Sequence, residues 1–506
     1  MAPHAITINA TGDKHEFDVE KWAPAATSND VPKRHPSTGV DVLVVGAGMG
    51  GLMTTLECWR KGHNVVGILE RNDGPVYSGD IIVMLPSAVS VLRHWPAMQR
   101  DMDAEQVDAA VSYETHRGEH VYGPTVPSYN DPEHRAAREG KGHRPFVAPA
   151  QIRSKFYRML LRQVARLGLT IEYGMAVRDY FEDEGAGKGG VVLQDGQVRL
   201  ADVVVAADGL KSRSEVLIQG RHTAPRSSGM SIYRTAYPKD VAMRDPVVRE
   251  RWGNKPPVWE YWLGPGMYMG VFVSDDIVSW GFTPLDAQGE ATESWEPDTD
   301  PERIVEELLK VPGWDPAILA LVRTAPHGVV HWPLLWRDLN REWTSKGGRV
   351  VQVGDSAHSF TPTSGNGATQ ALEDAVTLAA CLQLAGRGAV AMGTKAYNLL
   401  RYQRVSCAQK MAFVNAQLKT ATNWDAIAQD PSKVRTRFPK WIFSHDPEAY
   451  AYEKYGQAFA HLAAGIEFAN TNVPPGHTFV PWTVDEVAEA MKAGKRVEDL
   501  LDGDWS

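Results

Sequence analysis

The sequence predicts an α/β fold: a Rossmann-like parallel unit, an antiparallel β-sheet inserted into it, and a helical C-terminal part. Two observations carry this. First, VDVLVVGAGMGGLMTTLECWRKGHNVVGILER (40–71) reads as a buried strand, a glycine turn, a helix and a second buried strand, the order and length of a βαβ unit. Second, RVVQVGD (349–355) restores the parallel-strand signature about 300 residues later, just before a long helix. Residues 229–285, between the two, alternate in polarity and are rich in Tyr, Trp, Val and Phe, as antiparallel strands are.

A chain of 506 residues is too long for one compact core and predicts several joined units. Residues 1–39 are polar, without sustained periodicity, and read as a surface arm. Residues 40–225 form the first segment of the nucleotide-binding unit, and 226–340 the β-rich insertion that would hold a substrate. The second nucleotide segment is 341–390, and 391–506 is the helical C-terminal region. Within the first segment, residues 100–150 read as polar and loop-rich. Residues 151–168 return to helical periodicity, with Ile152, Phe156, Leu160, Val164 and Leu167 on one face. Near the C-terminus, TVDE before an apolar run predicts a capping-box helix start.

Composition narrows the class. With 43% hydrophobic and 23% charged residues the chain is an ordinary globular one. A net charge of −9 and the lack of a basic-aromatic patch argue against nucleic acid as a partner. Three widely spaced cysteines (Cys58, Cys381, Cys407) fit neither a disulfide framework nor a CxxC metal site, so no metal is expected. No secretory signal or long apolar span is read in the sequence, so the expected compartment is the cytoplasm, without a membrane span.

The chemistry begins at Gly46-x-Gly48-x-x-Gly51. Gly46 permits the tight turn, Gly48 lets backbone approach a pyrophosphate, and Gly51 allows close helix–strand packing. The helix N-terminus presents its open N–H groups to the phosphates. Glu70 ends the second strand 24 positions after Gly46, the distance at which an acid meets a ribose hydroxyl. The second loop, in GDSAHSFTPTSGNGATQALEDA (354–375), follows a strand and opens a helix near Gly367. It would set Asp355 beside a second chain of sugar-like hydroxyls. A simple nicotinamide dehydrogenase has no need of this second loop, whereas a flavin, whose ribityl chain and ring run past the first site, does.

Three motifs, GAGMGG (46–51), AADGLKSRS (206–214) and the 354–375 segment, make the chain resemble the FAD-dependent aromatic hydroxylase superfamily, group A flavoprotein monooxygenases. Within it the chain is similar to the fungal salicylate-hydroxylase-like branch of secondary metabolism. The resemblance implies FAD as cofactor and NADPH or NADH as co-substrate. It implies that Gly46, Gly48, Gly51, Glu70 and the adjacent Arg71 hold the adenosine half, that Arg153 contacts the cofactor, and that Asp208 and Gly209 serve both FAD and NAD(P)H. Gly354 and Asp355 would take the ribityl chain, and Pro362, Gly365 and Gly367 would line the isoalloxazine. Two departures stand out. The family's DGxxSxxR ends here in Glu215, with an arginine at Arg213, and its GAGI-type flavin loop is Gly79-Asp80-Ile81-Ile82.

In such an enzyme reduced FAD and O2 form a C4a-hydroperoxide with an electrophilic distal oxygen, and the protein supplies orientation, dryness and proton transfer. Arg234 stands where relatives face an arginine toward flavin and substrate. Asp80 is a candidate proton relay or loop cap, and Tyr233 a candidate pocket residue with Trp262, Tyr268 and Trp280, for each of which sheet core is the commoner fate. His331 reads as a satisfied buried histidine, His358 as support for the flavin loop. The implied reaction is monooxygenation of a phenolic or other electron-rich small molecule. Epoxidation or Baeyer–Villiger oxygenation of a non-aromatic substrate would use the same motifs. A flavin reductase or dehydrogenase and a non-catalytic flavin module are further alternatives, and the WxWxIP signature of flavin halogenases does not occur. Substrate, choice of nicotinamide cofactor and oligomeric state are left open by the motifs.

Overall fold

Valine-rich runs make the strands of the first layer, and both of their faces are covered. The computed structural model describes residues 32–77, 80–286, 289, 291, 297–326 and 328–506. The chain enters β1 (Asp41–Val45), turns into α1 (Met49–Arg60) and returns along β2 (Asn64–Leu69). A two-residue strand β3 (Ile81–Ile82) follows, then β4 (Ala110–Thr115) and β5 (His120–Thr125), then β6 (Gln151–Ile152), which leads directly into α2 (Arg153–Arg166). On α2 the predicted stripe is buried at Phe156, Leu160 and Val164. Three antiparallel strands, β7 (Val177–Asp183), β8 (Lys188–Leu193) and β9 (Val198–Ala201), precede β10 (Val203–Ala206).

The insertion contributes β11 (Arg226–Pro238), β12 (Val258–Gly264), β13 (Met267–Val273), β14 (Ile277–Thr283) and β15 (Val330–Trp336). The chain then returns to the first sheet as β16 (Val350–Gln352) and runs into the helices α3 (Asn366–Ala385) and α4 (Val390–Thr420). Beyond them lie α5 (Pro447–Ala464) and α6 (Val484–Lys492). The predicted capping box starts α6: Thr483 accepts from the Glu486 N–H while Glu486 accepts from the Thr483 N–H.

The parallel sheet has the order β16-β10-β1-β2. Val42 and Val44 of β1 and Val203, Val204 and Val205 of β10 are wholly buried, as strands covered on both faces must be. The second sheet has seven strands in the order β15-β11-β14-β13-β12-β4-β5. Its last two come from the stretch that reads as loop in the sequence. β4 pairs in parallel with β12, Tyr113 opposite Tyr261, and a partner about 150 residues away is not announced by a short strand flanked by polar residues. The sheet is buried on both sides. One face packs Trp262, Trp280 and Phe282 against Ile304, Leu308, Ile318 and Leu321 of two flanking helices. The other carries Tyr113, Trp259, Tyr261, Tyr268 and Phe272 and meets Ile81 and Val83, so the segment around β3 lies against this second face.

No single helix among the described residues is long and apolar enough to cross a membrane. The pair α3 and α4 passes that test together, but bends by 105° and lines the core beside the parallel sheet.

Candidate active site

At the end of β1 the three glycines do different work. Gly46 has φ +101°, and a Cβ there would stand 2.3 Å from the Ala207 carbonyl oxygen, so only glycine fits. A Cβ on Gly51 would stand 1.9 Å from the Gly46 oxygen. Gly48, the residue that caps α1, has no side-chain cap and nothing within 4 Å of where a Cβ would be. The N-terminus of α1 therefore opens onto free space, the arrangement a pyrophosphate requires. Glu70 closes the turn: one carboxylate oxygen accepts from the Ala47 N–H at 2.9 Å, the other from the Asn72 N–H at 3.0 Å and the Asn72 side-chain amide at 2.7 Å. Arg71, exposed beside it, is one of the groups that draw down the Asp208 carboxyl. Burial outweighs these and pushes that carboxyl up, and its Oδ2 accepts from the Tyr180 hydroxyl at 2.7 Å. Gly209, at φ +83°, borders open space.

The second loop hangs from a buried ion cluster. Asp374, on α3, accepts the Gly354 N–H at 2.9 Å and a ring nitrogen of His358 at 2.6 Å on one oxygen, and Arg401 Nε at 2.8 Å on the other. Its neighbour Glu373 takes Arg401 Nη1 at 2.6 Å and Arg404 Nε at 2.8 Å. Burial opposes both charges, yet the arginines hold Glu373 far below the usual carboxylate range, and His358 and Arg401 hold Asp374 below it. His358 thus supports the loop, as the sequence suggests. Asp355 is different. It is exposed to solvent between buried neighbours and accepts no hydrogen bond from a described residue, yet the protein around it pushes its carboxyl up by desolvation. The turn Pro362–Ser364 follows. Gly365, at φ +62°, lies so close to Val83 that a Cβ would stand 2.4 Å from the Val83 Cβ. Gly365 leaves α3 without a side-chain cap, and Gly367 has only Phe360 near, at 3.8 Å. Ala371 of α3 stands 3.2 Å from where a Cβ on Gly354 would be and 3.4 Å from one on Gly50, so the two glycine loops are neighbours, and their uncapped helix N-termini, the open Gly48 and Gly367 and the exposed Asp355 fit FAD.

Between these loops and the second sheet lies a charged seam. β3 pairs with β6, Ile81 opposite Ile152, and the Asp80 carbonyl accepts the Arg153 N–H at 2.9 Å. Asp80 is buried, and its Oδ1 lies 3.4 Å from Arg234 Nη1. Burial pushes the Asp80 carboxyl up against the pull of Arg234 and Arg153. Burial, with the like charge of Arg234, brings the Arg153 guanidinium down to about 10. Gly79, the remaining predicted member of this loop, lies outside the described residues.

Tyr233 is not brought to this seam. Side chains alternate along β11, so Tyr233 faces the helix-covered side, stacked on His331 at 3.9 Å between centroids and on Phe282 at 6.1 Å. Trp262 and Trp280 share that core, whereas Tyr268 stands on the opposite face. His331 is satisfied through Ser231 Oγ at 2.8 Å. Glu215, where the motif has arginine, is wholly buried, with Arg337 at 3.1 Å and the Thr223 N–H at 2.9 Å, while Arg213 is exposed near Asp179.

One residue escapes the sequence reading. Lys419, in the last turn of α4, is 4% exposed, and its ammonium donates to the Thr363 carbonyl at 3.2 Å. It sits 4.3 Å from the ring centre of Tyr261 and 5.3 Å from that of Tyr268, and burial brings it down to about 7. The available signal was spacing: Met411, Asn415 and Lys419 follow at intervals of four on a buried face.

A glycine turn after β1, a second glycine loop before α3 and an inserted aromatic sheet that meets Ile81 and Val83 fit a flavin-binding oxidoreductase. Comparison with known proteins narrows this. Residues 39–412 match the model of an FAD binding domain family. The FAD-dependent monooxygenase dmxR9 of Cryptosporiopsis sp. is 70% identical over the whole of both chains, and mdpD of Emericella nidulans, of the same description, is 68% identical over 99% of each. Among solved structures, CtdE in complex with FAD and a substrate superposes with a TM-score of 0.75 at 27% identity, over 84% of this chain and 100% of that one. FqzB does so with 0.75 at 26%, over 88% and 99%. The chain belongs to the FAD-dependent monooxygenases.

Proposed function

We propose that the protein consumes NADH or NADPH to insert one oxygen atom of O2 into a phenolic or other electron-rich small molecule of secondary metabolism. The observation that carries this reading is the Asp80–Arg234 pair, which fixes a cation at the seam between the flavin-side loop and the aromatic face of the inserted sheet. FAD, when bound, supplies the reduced flavin that activates O2. The residues around it bind and orient. Gly46, Gly48 and Gly51 would shape the turn for the pyrophosphate, Glu70 and Arg71 would border the adenosine, and Asp208 and Gly209 the edge toward NAD(P)H. Gly354 and Asp355 would receive the ribityl hydroxyls, Arg153 would contact the cofactor, and Pro362, Gly365 and Gly367 would line the isoalloxazine. Tyr261, Tyr268 and Phe272 give the site a wall that excludes water, which strengthens every charge inside it. Arg234, held by Asp80, stabilises the oxyanion that develops on the substrate as oxygen is transferred. The test is NAD(P)H-driven O2 uptake by the FAD-loaded protein, with labelled O2 followed into the product of a phenolic substrate panel. Hydrogen peroxide as the only oxygen product with every phenol would refute it.

A further inference from the structure

Lys419 is a buried amine without a paired carboxylate. No carboxylate of a described residue pairs with it, and burial brings it down to about 7, so the neutral amine is accessible near neutral pH. The groups of described residues recorded at its ammonium are neutral: the Thr363 carbonyl of the 362–367 loop, and the rings of Tyr261 on β12 and Tyr268 on β13. Tyr113 of β4 stands behind Tyr261, stacked at 5.4 Å. Burial pushes the phenols of Tyr113, Tyr261 and Tyr268 up, the last to about 12, so all three stay protonated. A charged ammonium in such a place is expensive, so burial favours the neutral amine until a ligand supplies an anion, and titratable groups perturbed in this way cluster at functional sites. Arg234 differs, since Asp80 already offsets its charge.

We propose that Lys419 is a catalytic residue of the oxygenation site, which accepts the hydroxyl proton of a phenol or enol substrate and holds the resulting oxyanion against its ammonium. The inference rests on the monooxygenase reading above and sets the substrate class as compounds with an acidic hydroxyl on an electron-rich π-system. The step balances within the pair. The substrate O–H bond breaks, an N–H bond forms on Nζ, and a neutral amine and neutral phenol become an ammonium–phenolate pair. One N–H stays on the Thr363 carbonyl in both states, and another faces the oxyanion. The phenolate is the stronger nucleophile toward an electrophilic oxygen, and the ammonium returns its proton when the product regains its hydroxyl.

The test uses 4-nitrophenol, whose phenolate alone absorbs in the visible, with the FAD-loaded protein at a pH below the probe's own pKa. Wild type should bind it as phenolate, raising its ionisation constant about tenfold or more, the scale of one charge-assisted hydrogen bond. Lys419→Met, with FAD content unchanged, should bind the neutral phenol, and Lys419→Arg should restore the phenolate band through its permanent charge. A neutral phenol in the wild-type complex, no binding at all, or a phenolate band that survives in Lys419→Met each overturns the proposal. The wild-type spectrum decides even where a variant does not fold. NAD(P)H-driven O2 uptake by the same wild-type preparation keeps the two readings apart: uptake without a bound phenolate removes Lys419 and leaves the monooxygenase standing.

Discussion

Arg234 Nη1 lies 3.4 Å from Asp80 Oδ1, joining the inserted sheet to the flavin-side loop across 154 residues of sequence. At that distance the contact is an ion pair more than a well-formed hydrogen bond. Arg234→Ala should retain FAD and still be reduced by NAD(P)H, yet lose product on the order of 10²- to 10³-fold, with oxygen diverted to hydrogen peroxide. Arg234→Lys should recover part of the coupling, since an ammonium lacks the planar fork. Product formed per NAD(P)H consumed is the measurement, and unchanged coupling in Arg234→Ala would remove the arginine from the reaction.

Asp355 has no hydrogen-bond donor among the described residues, so removing its carboxylate strands no partner in the fold. Asp355→Ala should weaken FAD binding about ten- to a hundredfold, the worth of one charged hydrogen bond. Melting of the apoprotein should hardly change. Titration of apoprotein with FAD, followed by flavin fluorescence, reads the first effect and thermal denaturation the second.

Gly48 and Gly51 should part company. A Cβ on Gly51 meets the Gly46 carbonyl oxygen, whereas a Cβ on Gly48 meets nothing. Gly51→Ala should destabilise the fold by about 1–3 kcal/mol or more through overpacking. Gly48→Ala should fold like wild type and hold FAD poorly, because its methyl occupies the space left for the pyrophosphate. Denaturant unfolding beside flavin content of the purified proteins would show both. Equal stability of the two variants would contradict the contact geometry.

The Asp374–Arg401–Glu373–Arg404 cluster should contribute to acid sensitivity, as should Asp446 and Glu448, whose carboxyls are also held far below the usual range. Glu373 and Asp374 have folded-state pKa values depressed by their arginine and histidine partners. Their contribution is therefore complete above the unfolded values of about 4.3 and 3.9. It is lost as the pH falls below them toward the folded-state values. Stability measured by urea unfolding should thus decline from about pH 4 downward. Arg401→Met should cost about 3–5 kcal/mol at neutral pH by stranding buried carboxylates, and should flatten that decline, since the remaining carboxyls are no longer held ionised. A variant as stable as wild type, with the same acid profile, would show that the cluster contributes nothing.

Much of the geometry of the two glycine loops was legible in the sequence because its constraints are local. A tight turn that only glycine can make, a helix opening straight after it, a carboxylate at the end of the next strand and a second glycine loop all declare themselves within a few dozen residues. The pairing of β4 with β12 and the Asp80–Arg234 contact do not, because partners about 150 residues apart leave no periodic trace in either segment. Alternation along β11 establishes that Tyr233 and Arg234 point to opposite faces, but not which face meets the flavin-side loops. The hydrophobic pattern cannot decide this, since both faces of the inserted sheet are buried, one under helices and one against the cofactor unit. Lys419 is the sharpest case. In sequence it is one lysine near the end of a long helix, and only when α4 packs against Thr363, Tyr261 and Tyr268 does desolvation turn it into an amine able to take up or release a proton near neutrality. Glycine geometry belongs to the chain, but the burial of a charge belongs to whatever the fold places around it.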